Sequence, residues 1–157
     1  TPVAALGFLV LTTYRNSWGQ LFHTENLVAL HLVALAVGAW LTVPGGADRH
    51  GAGDADPARA VVRAMAVLTV GTYLVAGIAK LRIGGLDWID GDVLRHQIAF
   101  DNTRKDLLGD PSAPFAAGFL RREWLLGPSA VATMVVELAA PLALLHRRIA
   151  TVWAVAA

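Results

Sequence analysis

The sequence predicts an all-α membrane protein, a polytopic bundle of four to five transmembrane helices with one interfacial amphipathic helix. Three observations carry that prediction. Of 157 residues, 55% are hydrophobic and 16% charged, and mean hydropathy is +0.53, values that soluble domains rarely combine with long apolar runs. Apolar runs recur along the chain at lengths near the roughly 17–25 residues needed to cross a bilayer core. Only helices satisfy their own backbone in lipid, so strand-rich alternatives fall away.

The first apolar segment, 2–13, is partial. The second spans 26–43 and stops at Pro44-Gly45-Gly46. A polar loop follows, closed by Asp56-Pro57, an N-cap and first-turn pair for a third segment over 60–83. Asp54 and Asp56 could hold a cation, but a solvated turn is the simpler account. Gly84-Gly85 ends the third segment, and Gly127-Pro128 opens a fourth over 128–145. His146-Arg147-Arg148 makes a basic turn before a fifth, which starts near Ile149. Both ends look cut, because the chain opens at Thr1 and stops within an apolar run. A single transmembrane domain over 1–157, shortened at both ends, is therefore expected. No basic residue precedes the first apolar run, which argues against a cleavable signal peptide.

Between the third and fourth segments, Phe115, Phe119, Leu120 and Trp124 recur at helical spacing, with Arg121, Arg122 and Glu123 elsewhere on the wheel. That pattern suits a helix lying in the membrane surface. A shorter helix can start at Asp92 and carry Val93, Leu94, Arg95, His96 and Ile98. Trp18, Trp88 and Trp124 fall on one side of the spans, as expected of an aromatic belt. Arginines and lysines occur on both sides, so charge does not set the orientation.

Composition also excludes some chemistry. Net charge is +1 and the basic residues are scattered, which gives no basis for a nucleic-acid partner. There is no cysteine, hence no disulfide, thiolate metal site or cysteine nucleophile. No nucleotide-binding loop, metal-ligand cluster or serine-nucleophile motif is present, and no metal is expected.

What remains is a set of polar groups inside apolar segments. Lys80 lies in Tyr73-Leu74-Val75-Ala76-Gly77-Ile78-Ala79-Lys80-Leu81, where a charge costs on the order of 2.5–3.5 kcal/mol at a helix centre. At ~1.5 Å per residue, Lys80 lies about 5 Å in from the end of its segment, His31 about 8 Å and Glu137 about 14 Å. The estimated ~9 Å difference in depth argues mildly against direct contact between Lys80 and Glu137. Each shares a stripe with small or polar residues: His31 with Ala34 and Gly38, Lys80 with Tyr73 and Gly77, Glu137 with Thr133 and Ala140. Such stripes mark helix contacts. Two accounts of each stay open. Lys80 either snorkels to the headgroups or does chemistry; His31 is a hydrogen-bonded packing residue or a site residue. Glu137 is too deep to snorkel, so it is protonated, paired or functional. Pro141, four residues later, frees the carbonyl of residue 137. The chemistry open to the set is proton transfer.

Tyr73-x-x-Ala76-Gly77-x-x-Lys80-Leu81, followed by Asp87-Trp88-x-x-Gly91, resembles the vitamin K-dependent gamma-carboxylase family and its bacterial relatives with the HTTM membrane domain. The resemblance covers most of 14–100 and departs from the animal enzymes at Ala79, where they carry a second lysine. It implies a membrane lyase that carboxylates glutamate in a peptide, coupled to epoxidation of reduced vitamin K or a related quinol. It implies Lys80 as the base and His23, in Phe22-His23-Thr24-Glu25-Asn26-Leu27, as an aid to the carbanion. His31, Tyr73, Gly77, Trp88 and Glu137 would line the pocket. The implied partners are the bilayer, the lipid-soluble quinol and the peptide. The implied location is a bacterial plasma membrane, with the site opening away from the cytoplasm. Two other classes compete: a transporter or proton relay built on His31, Lys80 and Glu137, and an accessory subunit similar to DoxX-like membrane proteins.

Overall fold

The computed structural model of the chain describes residues 2–16, 23–41, 56–109 and 114–157, and every regular element among them is helical. In order these are α1 (Pro2–Asn16), α2 (His23–Leu41), α3 (Pro57–Ile83), a short 3-10 helix (Gly85–Trp88), α4 (Asp92–Leu108), α5 (Ala116–Leu120), α6 (Glu123–Leu138), a second 3-10 helix (Ala140–Leu144) and α7 (Arg147–Ala156). Trp18, Pro44-Gly45-Gly46 and Asp54 lie outside the described residues.

Among the described residues, one helix is long and apolar enough to cross a membrane, Ala58–Ile83. The described helices thus do not carry a bundle of four to five spans. Of the expected second span, 26–43, the described part is the apolar stretch Asn26–Trp40 within α2. The expected fourth is divided, because α6 stops at Leu138 and gives way to the 3-10 helix Ala140–Leu144. Pro141 has no N–H to offer the carbonyl of Glu137, so the α-helical ladder cannot continue there. The expected surface helix over 115–124 is also interrupted. Arg122 leaves helical geometry at φ −100°, ψ 72°, so Phe119 and Leu120 belong to α5, with Phe115 as its N-cap, and Trp124 belongs to α6.

Other punctuation falls where expected. The carboxylate of Asp56 accepts from the Ala58 N–H at 3.0 Å, capping α3 with Pro57 in its first turn. α4 starts at Asp92 after an N-cap glycine, Gly91. The ring of His146 accepts from the Arg148 N–H at 3.1 Å and caps α7.

The chain divides into two compact units, Thr1–Thr72 and Tyr73–Ala157. In the first, α1 packs on α2, with Ala5, Thr12 and Ala29 buried; small side chains let the two backbones approach. In the second, α6 turns the stripe Leu126, Ala130, Met134 and Glu137 inward. Those positions recur at three- and four-residue steps, the period of one helix face. Glu137 is therefore the polar end of an otherwise apolar buried stripe. Gly91 fixes the turn carrying Trp88 against α6: at φ +84°, a Cβ there would meet the backbone of Leu126 and Gly127 at 2.6 Å. Arg95 on α4 donates to Glu123 on α6 at 3.1 Å.

Candidate functional site

The second unit assembles four of the sequence-predicted residues. Lys80 sits near the end of α3, and its ammonium donates to Glu137 Oε1 on α6 in a short ion pair. The Lys80 side chain is 20% exposed and that of Glu137 10%. The ammonium also lies 4.8 Å from the centroid of the Trp88 ring, within range for a cation–π contact. Trp88 is itself buried. Gly77, one turn before Lys80, brings the helices close: a Cβ there would sit 3.0 Å from Glu137 Cβ and 3.1 Å from Leu138 Cδ2.

Helix geometry explains why Lys80 pairs inward. The Cα–Cβ bond in a helix tilts toward the N-terminus, and a long side chain covers the turn before its own Cα. From Lys80 that direction runs back toward Gly77, the level at which α3 meets Glu137. Snorkelling past Ile83 would run against it. The depth estimate set Lys80 and Glu137 apart, and the ion pair corrects it. Depth counted along each helix from its own end does not register how α3 and α6 lie side by side: Gly77 is level with Glu137, and the lysine stem covers the turn back to it.

Electrostatically the pair is unequal. Oε1 of Glu137 receives the ammonium, whereas Oε2 is buried and has no hydrogen-bond partner among the described residues. An ionised carboxylate only accepts, and an unpaired buried acceptor costs about 1–3 kcal/mol. The site thus keeps one acceptor position open beside a fixed cation.

Tyr73 lies on the same unit and packs edge-on against Trp153, with centroids 5.0 Å apart and planes at 79°. The indole of Trp153 donates to the Val136 carbonyl at 2.9 Å, so α7 braces the residue preceding Glu137. In the sequence, Trp153 carries one signal, a buriable indole N–H that must find an acceptor. Gly84, which ends the third segment, has a packing role as well: a Cβ there would overlap the Trp88 ring.

His31 belongs to the first unit. Its Nε2 lies 3.0 Å from Thr69 Oγ1 and 3.1 Å from the Met65 carbonyl. Thr69 donates its own hydroxyl to that carbonyl, so both neighbours of Nε2 are acceptors and Nε2 carries the proton. This arrangement ties α2 to α3 and is that of a packing residue. His23 opens α2, but its side chain lies outside the described residues.

Away from this site, Asp101 on α4 accepts from Lys105 and from Arg104 at 2.8 Å. Those hydrogen bonds, Lys105 first, hold its carboxyl below the usual aspartate value of 3.8. Comparison with family models, curated proteins and solved structures gives no match to the chain.

Proposed function

We propose that the chain is an integral protein of a bacterial plasma membrane, a bundle of four to five spans of which Ala58–Ile83 is the one of full length among the described residues. We propose further that it is an enzyme taking a proton from a lipid-soluble quinol to drive carboxylation of glutamate in a peptide. The substrate and overall reaction are those the Lys80 motif implies by resemblance. The observation that carries the proposal is the inward-turned ammonium of Lys80, held by a buried carboxylate with an open oxygen. Membrane residence is supported by Ala58–Ile83, where Val62, Val67, Val75 and Ile83 remain exposed within the protein itself.

The residues fit a quinol. Its hydroxyl needs a buried acceptor, which Glu137 Oε2 supplies, and its apolar body needs a lipid-side approach. When bound, the quinol supplies the reducing equivalents for the oxygen-dependent step. Gly77 sets the distance between the helices, and Trp88 holds the ammonium in place. His23 belongs to the proposal through the resemblance alone.

The test is oxygen-dependent epoxidation of reduced vitamin K by the full-length protein in lipid. Activity is expected in the unaltered protein and loss of about 100-fold or more in Lys80→Ala, the scale of one acid–base group. Full activity in Lys80→Ala would refute the proposal. A second reading, a proton relay, is favoured by the direct Lys80–Glu137 contact. It predicts proton flux in proteoliposomes that Glu137→Gln abolishes. An accessory subunit would use the same pair only as a structural tie, and neither substitution would then affect any flux or turnover.

A further inference from the structure

We infer that Glu137, rather than Lys80, is the atom-level proton acceptor of this site, and that the ligand it takes is a neutral, largely apolar molecule presenting a hydroxyl donor. The inference rests on the proton-abstraction reading for its reaction but reassigns the roles within the pair. Lys80 donates to Oε1 of Glu137, and an ammonium has no lone pair to accept with. Beside the ammonium lies the Trp88 ring, whose face attracts a cation. Among the described residues, the vacant lone pairs of the pair are those of Oε2, buried and unpartnered. A carboxylate excludes ligands that can only accept, so the ligand must bring an O–H or N–H. A ligand reaching the end of the apolar stripe Leu126, Ala130 and Met134 must be neutral on arrival, because a charge would lose its hydration with no partner to replace it.

The step is a single proton transfer. The ligand O–H bond breaks, an Oε2–H bond forms, and the electron pair stays on the ligand oxygen. Lys80 keeps its proton, and its ammonium faces the negative charge left behind, an electrostatic role that costs no reorganisation at the moment of transfer. Once Glu137 is protonated, Lys80 has lost one anion and gained another nearby.

Glu137→Gln provides a test that a merely structural role would not satisfy. Lys80 requires the amide oxygen toward itself, which leaves the amide NH₂ at the Oε2 position. The substitution therefore turns an open acceptor into an open donor. Binding of naphthol and of its methyl ether is measured on the full chain in phosphatidylcholine nanodiscs, with partition into empty discs subtracted. The unaltered protein is expected to prefer naphthol by about tenfold or more, the scale of one hydrogen bond to a charged acceptor. Glu137→Gln is expected to abolish or invert that preference. Lys80→Arg keeps the charge and cannot serve as a base near neutral pH, so it is expected to retain the preference. The double variant Lys80→Met/Glu137→Leu removes both charges without leaving either unpaired, and the preference should vanish there too.

A naphthol preference that survives Glu137→Gln or the double variant, one that disappears in Lys80→Arg, or equal binding of both probes to the unaltered protein would overturn the inference. Turnover separates it from the wider proposal. Reduced vitamin K epoxidation that persists in Glu137→Gln refutes Glu137 as acceptor and leaves the enzyme reading standing. The naphthol pattern without any quinol turnover refutes the carboxylase-like reading and leaves the acceptor assignment standing.

Discussion

Gly91→Ala should damage the site without touching any of its charged groups. Two penalties add at this position. The first is conformational: Gly91 holds φ +84°, and an L-residue in the left-handed region costs roughly 1–2 kcal/mol. The second is steric, because the new Cβ would lie 2.6 Å from Gly127 N and from the Leu126 carbonyl carbon. Both atoms are backbone and cannot swing aside, so overpacking adds about 1–3 kcal/mol. The sum is about 2–5 kcal/mol. Gly109→Ala isolates the first penalty, since Gly109 holds φ +74° with nothing among the described residues within 4 Å of its would-be Cβ. It should cost only about 1–2 kcal/mol. The Gly91 N–H also bonds the Trp88 carbonyl at 3.3 Å, so relieving the clash displaces the turn that holds the indole over Lys80. Reversible unfolding in detergent micelles, followed by circular dichroism, measures both variants. Costs equal within about 0.5 kcal/mol would refute the close approach of this turn to α6.

Three further outcomes are expected. Trp88→Phe keeps a ring beside the ammonium and should cost about 1 kcal/mol less stability than Trp88→Leu; equal costs in micelle unfolding would remove the cation–π contact from the site. Thr69→Val removes an acceptor from His31 and should lower stability by about 1 kcal/mol while quinol turnover is maintained, and lost turnover would place His31 in the machinery rather than the packing. Asp101 is held below its ordinary value of 3.8 by Lys105 and Arg104. Its contribution is therefore present above that value and lost as pH falls through the depressed folded value. Acid titration of helicity should show a small loss below 3.8 that Asp101→Asn lacks, and identical acid limbs would refute the assignment.

Much of the helical order was legible because local chemistry decided it. Asp56-Pro57 starts a helix, Gly84-Gly85 stops one and Asp92 opens another, each through capping or φ preference that needs no tertiary context; His146, read as part of a turn, instead caps α7. The number of spans was not legible. Hydropathy counts apolar residues but cannot register that Pro141 divides one run into an α and a 3-10 portion, or that α5 and α6 part at Arg121-Arg122. The stripe Tyr73, Gly77, Lys80 pointed correctly to a helix contact, and Gly77 does meet Glu137. Pairing failed because depth was counted along helix axes. A lysine stem bends back along its own helix, and distance from a helix end does not fix the level at which α3 and α6 meet, which Gly77 and Glu137 mark. Tyr73 shared the motif with Lys80, but its ring rests on Trp153, a partner from α7 that no spacing rule could assign.

A double-mutant cycle on Lys80→Met and Glu137→Leu, read by unfolding in micelles, tests the interior ion pair most directly. Each single variant leaves the other charge buried and should cost about 3–5 kcal/mol, whereas the double variant removes both and should cost much less than the sum. A coupling of about 1–3 kcal/mol or more is predicted. Single costs that add to within about 0.5 kcal/mol would contradict it and return Lys80 to the headgroups.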